Sequence, residues 1–187
     1  MINTRISQRG VTLVELAVIT AILVVMATIA APSTKNLIDN SQRRAVVNDL
    51  LGFLAMGRER SVLTGTILTL CPLTSNNVCG KDWSKPLTLF RDSGNKRKLT
   101  DERQIVHVQM PPRRGYLKVA SLSRSFFQYR PDGMILSDLG NITWCPDDKD
   151  PTKAAHFVIR KGGTIRLAKD TNGDGIPDKA NGKLLEC

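Results

Sequence analysis

The stretch Asp170-Thr171-Asn172-Gly173-Asp174-Gly175-Ile176-Pro177-Asp178 has the residue types and spacing of a calcium loop. Oxygen-bearing side chains stand at its first, third, fifth and ninth positions: Asp170, Asn172, Asp174 and Asp178. Gly175 is sixth, and Ile176, seventh, offers a backbone carbonyl. That is the order in which hard oxygen ligands are set around Ca²⁺. The twelfth position is Asn181, where a bidentate carboxylate is expected, so the set is one charge short. A turn rich in Asp, Asn and Gly also forms without an ion, and both readings stand.

A second group is cationic. Arg160, Lys161, Arg166 and Lys169 gather around Gly162-Gly163. If the flanking apolar runs pair as a hairpin, these charges collect near one end, and the glycines, Gly163 among them, leave backbone N–H groups open to a phosphate. Arg113-Arg114 with Lys118 and Lys96-Arg97-Lys98 are further basic groups. Such clusters hold phosphates without reading sequence, and their affinity falls steeply with salt. The alternative is a set of solvated hairpin tips. The chain carries 27 Lys plus Arg against 17 Asp plus Glu, a formal +10. That excess points to polyanions, acidic head groups or acidic neighbouring proteins as partners.

The 4 cysteines, Cys71, Cys79, Cys145 and Cys187, allow three pairings. Cys71–Cys79 and Cys145–Cys187 are favoured; the first closes a short loop and the second ties the last residue back. No Cys-x-x-Cys occurs, and His107 and His156 lie far from any cysteine in sequence, which argues against zinc. Both histidines are alone within apolar strand-like runs. With no nucleophile elbow, no phosphate loop and no His-Glu-x-x-His, the chain does not read as an enzyme.

The last group is a single residue. From Val11 to Ala31 the chain is apolar but for three threonines and one charge, Glu15. About twenty such residues are enough to cross a bilayer. Arg5 and Arg9 before the run predict the N-terminus inside and the large domain outside, where disulfides form. A carboxylate in such a run is costly and needs a named partner. An ordinary signal anchor with a stray Glu is the plainer reading.

The elements that position these groups follow from periodicity. After Pro32, Ile38, Ala45, Val46, Leu50, Phe53, Leu54 and Gly57 recur at helical offsets, with Lys35, Asp39, Arg43, Asp49 and Arg58 between them. The helix is expected to run from Thr12 to about Val62, roughly 75 Å, bent or loosened near Pro32, with Gly65 as its stop. Beyond it, eight strands are expected: 67–71, 87–90, 105–110, 116–120, 126–129, 142–144, 156–159 and 164–167, separated by Gly, Pro and Asn turns. The fold class is α+β, a long N-terminal helix packed on an antiparallel β domain. Phe126 and Phe127, if in one strand, face opposite ways.

The leader, Gly10-Val11-Thr12-Leu13, Glu15, and Pro32 twenty-second after the glycine resemble the N-terminal signature of type IV pilins and pseudopilins. The departure is Val11, where that family mostly has Phe. The resemblance implies a leader of residues 1–10, cut after Gly10 by a prepilin peptidase that methylates the new N-terminus at Val11. Residues 11–32 are then the transmembrane and assembly helix, 33–63 its amphipathic continuation and 64–187 a β-rich domain with two disulfides. Glu15 would neutralise the α-amino group of a neighbouring subunit, since an unpaired charge in low dielectric is expensive.

Leu54-Ala55-Met56-Gly57-Arg58-Glu59-Arg60, Leu68-Thr69-Leu70-Cys71-Pro72, Trp83, Leu89-Phe90-Arg91-Asp92, Phe127-Gln128-Tyr129-Arg130-Pro131-Asp132-Gly133, Trp144-Cys145 and Gly163-Thr164-Ile165-Arg166 narrow the resemblance to the FimT/GspH family of minor pilins. It implies a subunit first stored in the inner membrane, single-pass, with its domain in the periplasm. Assembly with other pilins then carries it into a pilus, at initiation or at the tip. DNA-binding members carry Gly-Arg-x-Arg where this chain has Gly163-Thr164-Ile165-Arg166, so one arginine is replaced by Thr164. Three readings follow: a minor pilin that binds DNA for uptake, a type II secretion pseudopilin that does not, and a membrane-anchored periplasmic module. The acidic loop also resembles a thrombospondin type 3 or dockerin half-repeat, with calcium as the implied ligand.

Overall fold

The structure is a computed structural model. It describes residue 10, residues 12–121 and residues 124–187, with the backbone alone for 29–36. Val11 and the leader residues before Gly10 lie outside the described residues. The chain divides into two compact units between Asn40 and Ser41.

Helix α1 (Leu13–Thr64) supplies all described regular structure of the first unit. Thr12 caps it: its Oγ1 accepts the N–H of Glu15 at 3.2 Å, so Thr12-x-x-Glu15 sits where a capping box begins a helix. Leu13, Val14, Leu16, Ile22 and Val25 are all exposed. The threonines hide their polarity by bonding back along the helix. The Thr20 hydroxyl donates to the Leu16 carbonyl at 3.0 Å and that of Thr28 to Val25 at 2.8 Å. Among the described residues no helix is long and apolar enough to cross a membrane; the described side chains of the apolar run end at Thr28.

In the second unit α1 presents Val46, Leu50, Phe53 and Leu54 to the core. These are the middle of the expected stripe; Ile38 and Ala45 are exposed instead. Gly57 is buried because the Tyr129 ring lies on it. A Cβ there would stand 3.1 Å from Tyr129 and 3.3 Å from Leu89. The helix ends at Gly65, whose φ of +60° is the left-handed closure glycine favours.

All eight expected strands form, with ends shifted by up to two residues: β1 (Leu68–Pro72), β2 (Leu87–Arg91), β3 (Ile105–Gln109), β4 (Tyr116–Ser121), β5 (Phe127–Tyr129), β6 (Gly140–Cys145), β7 (Ala155–Ile159) and β8 (Ile165–Leu167). They make two antiparallel sheets, β3-β2-β1-β5 and β4-β6-β7-β8. The chain leaves the first sheet after β3 and returns to it only for β5. Pro111-Pro112 removes two backbone donors where a hairpin would need them, and Gly115 (φ +74°) turns the chain so that Tyr116 pairs with Cys145.

Pleating decides what each sheet face does. Leu68, Leu70, Leu87, Leu89, Phe127 and Tyr129 point to the shared core, as do Ile142, Trp144, Phe157 and Ile159. The outer face of the first sheet carries a second small core of Cys71, Phe90 and Leu99, with Phe126 against it. Phe126 and Phe127 therefore serve opposite faces. The outer face of the second sheet carries the pair Thr143 and His156.

Candidate functional site

Gly10 and Glu15 are both exposed at the start of α1. Glu15 occupies the first helical turn, where a negative charge complements the helix dipole. Its local role is thus helix initiation beside Thr12, a pairing legible in the spacing Thr12-Leu13-Val14-Glu15 but not read there. Pro32 lies within α1, and its side chain is outside the described residues, as is Val11.

The basic hairpin forms as the strands require. Phe157 pairs with Leu167, Val158 with Arg166 and Ile159 with Ile165. Arg160 donates its N–H to the Thr164 carbonyl at 3.0 Å, closing the turn. Arg160, Lys161, Arg166 and Lys169 are all exposed. Gly163 differs from the phosphate-binding expectation. Its N–H already donates to the Arg160 carbonyl at 2.9 Å. It is buried at φ +75°, and a Cβ would stand 1.9 Å from the Gly133 carbonyl oxygen. Arg58 Nε donates to that same carbonyl at 3.2 Å, and Ile135 N–H donates to the Lys161 carbonyl at 3.0 Å. Gly163 is there to let two turns meet, and its own N–H is not open to a phosphate.

The acidic loop closes on itself. The Asp170 carboxylate accepts the N–H of Gly173 at 2.7 Å and of Gly175 at 2.8 Å. These bonds hold its carboxyl below the ordinary value of 3.8. Asn172 accepts from Asp174 N–H at 3.0 Å and donates its amide to that carboxylate at 2.9 Å. Asp174 accepts from Ile176 N–H at 2.8 Å, and Asp178 takes the N–H and hydroxyl of Thr171. Among the described residues no three His, Cys, Asp or Glu side chains are placed to hold a metal ion. Of the expected ligand set Asp170, Asn172, Asp174, Ile176 and Asp178, the carboxylate and amide oxygens accept the loop's own N–H groups, which folds the stretch into a closed turn.

The cysteines pair as expected, Cys71 with Cys79 and Cys145 with Cys187, at Cα separations of 5.4 and 5.5 Å. His107 lies against the Phe53 ring at 5.7 Å. His156 Nδ1 and the Thr143 hydroxyl are 2.8 Å apart in the interior. Both histidines are structural.

One buried group had no signal in the periodicity. Asp92 is 4% exposed. Its carboxylate accepts the Thr69 hydroxyl and the N–H groups of Lys96 and Arg97, each at 2.8 Å, and the Gln128 amide at 3.3 Å. It fixes the basic loop after β2 to the sheet beneath.

Comparison with known proteins gives the family and the fold. Residues 46–172 match the family model described as type II transport protein GspH. The chain is similar in fold to the type IV minor pilin FimU of Pseudomonas aeruginosa, with a TM-score of 0.52 and 14% identity over 69% of this chain and 90% of that one. It is also similar to the minor pseudopilin EpsH from the type 2 secretion system of Vibrio cholerae, with a TM-score of 0.49 and 13% identity over 67% and 95%. No curated protein matches the sequence.

Proposed function

The chain belongs to the GspH family of type II transport proteins, and from that premise we propose that it is a minor subunit built into a pilus or pseudopilus through its N-terminal helix. It is a structural protein of pilin type and not an enzyme. The observation that carries the proposal is the exposed apolar surface of Leu13–Thr28, bearing a carboxylate in its first turn and followed by a folded domain. Such a surface needs lipid or like helices around it. In this reading a prepilin peptidase cuts after Gly10, the new N-terminus at Val11 is methylated, and the subunit waits in the inner membrane with its domain outside. Glu15 then meets the N-terminal charge of a neighbouring pilin. Replacing Glu15 by Ala tests this. The variant is expected in the membrane fraction, cleaved, but missing from sheared filaments; normal incorporation would remove the role given to Glu15.

Two readings of the filament remain distinct. The family's description favours a type II secretion pseudopilus, and the likeness to FimU favours only the common fold. Deleting the gene separates them: lost secretion of folded proteins marks one, lost surface pili the other. The exposed side chains of Arg160, Lys161, Arg166 and Lys169 support DNA contact as an added property, as would serve DNA uptake. An Arg160→Ala/Arg166→Ala variant that retards DNA as well as the parent chain would remove that property from the hairpin.

A further inference from the structure

A different basic surface is built with more care than the hairpin. Arg97 and Arg124 place their guanidinium carbons 5.8 and 5.6 Å from the centre of one ring, Phe126. Phe126 is anchored from below on the small core of Cys71, Phe90 and Leu99. Lys96 and Lys98 flank Arg97 and are exposed. The loop cannot relax to spread these charges. Buried Asp92 accepts the N–H of both Lys96 and Arg97 at 2.8 Å, and Cys79, itself in a disulfide, donates its N–H to the Arg97 carbonyl at 3.1 Å. Arg97 is held at φ +53°. Asp138 takes the Nε of Arg124 at 3.1 Å, which leaves the terminal nitrogens of that guanidinium. Among the described residues no carboxylate pairs with the side chains of Lys96, Arg97 or Lys98. The Asp92 carboxylate is spent beneath the surface, on two backbone N–H groups, Thr69 and Gln128, and Asp101 is taken by Arg103.

We propose that this loop is a platform for the phosphate backbone of a nucleic acid strand. A guanidinium held near an aromatic ring by cation–π attraction still carries forked N–H donors, which suit a phosphodiester. The lysines add charge without geometry. Two guanidinium planes beside a half-buried ring also offer π-faces to unpaired bases, which an acidic protein surface does not supply. The platform belongs to other elements than the β7–β8 hairpin and does not depend on the hairpin's binding DNA.

The test uses the full chain in neutral detergent and a labelled single-stranded oligonucleotide, followed by anisotropy across a salt series. Three double variants are compared: Arg97→Gln/Arg124→Gln, Lys96→Gln/Lys98→Gln and Arg160→Gln/Arg166→Gln. The first is expected to bind about tenfold more weakly near physiological salt. It should flatten the log–log salt slope by about 1.4, because each phosphate contact on a single strand contributes about 0.7. A platform variant that binds as tightly as the parent, with the same slope, overturns the proposal. Loss in that variant with none in the hairpin variant supports the platform while removing the hairpin. Should Arg97→Gln/Arg124→Gln melt early, the lysine pair decides, since both side chains are exposed; unchanged affinity and slope there overturn the proposal. An equal loss toward polyglutamate or phosphatidylglycerol vesicles would overturn the assignment to nucleic acid.

Discussion

On the outer face of the β3-β2-β1-β5 sheet, Thr69, Cys71, Phe90 and Gln128 are covered by the loops that follow β1 and β2, which carry Cys79, Asp92 and Leu99. On the outer face of the β4-β6-β7-β8 sheet, Thr143 and His156 are covered by the segment after β8, which returns from the end of the chain. Each cover is closed by a disulfide, spanning 8 residues in the first and 42 in the second. The first cover is a folded layer with its own apolar core and a carboxylate at its centre. The second is a strap. Leu185 is its anchor at 3% exposed, the Tyr116 hydroxyl donates to the Cys187 carbonyl at 2.5 Å, and Lys118 and Lys179 donate to the carbonyls of Glu186 and Leu184. Much of the strap is exposed. A cover with its own buried core is held by burial; a strap without one is held by its staple.

The comparison is easiest to break at Asp92. Asp92→Ala strands three donors beneath the first cover, the Thr69 hydroxyl and the N–H groups of Lys96 and Arg97, while the Gln128 amide keeps Thr69 and Asn95. Orphaned buried donors cost about 1–3 kcal/mol each before relaxation, so a net loss of about 3–5 kcal/mol is expected in urea unfolding. A loss below about 1 kcal/mol would show that the layer is not organised by this carboxylate.

Cys145→Ser/Cys187→Ser comes next. Loop entropy sets the staple at about 4 kcal/mol for a closure of this length, and measured values are commonly about 2–4. Amide exchange should then rise through residues 168–187 while residues 71–99 keep their protection. Rises in both regions would mean that the two covers are one cooperative unit. Tyr116→Phe removes one hydrogen bond from the same strap and is expected to cost about 1 kcal/mol, with faster exchange confined to the last turn before Cys187.

The contrast also explains what could be read from the chain. The helix core face was legible in Val46, Leu50, Phe53 and Leu54 because burial on one side imposes a 3.6-residue period. The strands were legible because Gly, Pro and Asn punctuate them, and the disulfides because one short and one terminal closure is a plausible pair. What escaped was set by contacts remote in sequence. Nothing in Tyr116–Ser121 names β6 as its partner rather than β3. Asp92 looks like any loop acid until Thr69 and Gln128 arrive beneath it. The Gly163 N–H was expected to face a ligand, and only the approach of Gly133 shows why glycine stands there. In the acidic loop the spacing of oxygens was legible, while the hydrogen bonds that fold it, from Gly173 and Gly175 to Asp170 and from Ile176 to Asp174, were not.

The smallest effect tests whether the strap senses pH. Burial pushes the His156 imidazole below its ordinary value of 6.5, and the Lys179 ammonium adds to the shift. The unfolded chain then binds the proton more readily than the folded one. Stability from this group is complete above about pH 6.5 and is lost as pH falls through the depressed folded value. The Thr143 hydroxyl lies 2.8 Å from Nδ1 on one side of the ring, and the charge gained on protonation is buried beneath the strap. His156→Asn is expected to lower stability at neutral pH slightly and to flatten the loss between pH 6.5 and 5, measured as melting temperature against pH. The carboxyl of Asp170 contributes separately, from about its ordinary value of 3.8 downward. If the variant and the parent fall in parallel through that upper window, the acid sensitivity of this face belongs to some other group, and the strap is held without regard to His156.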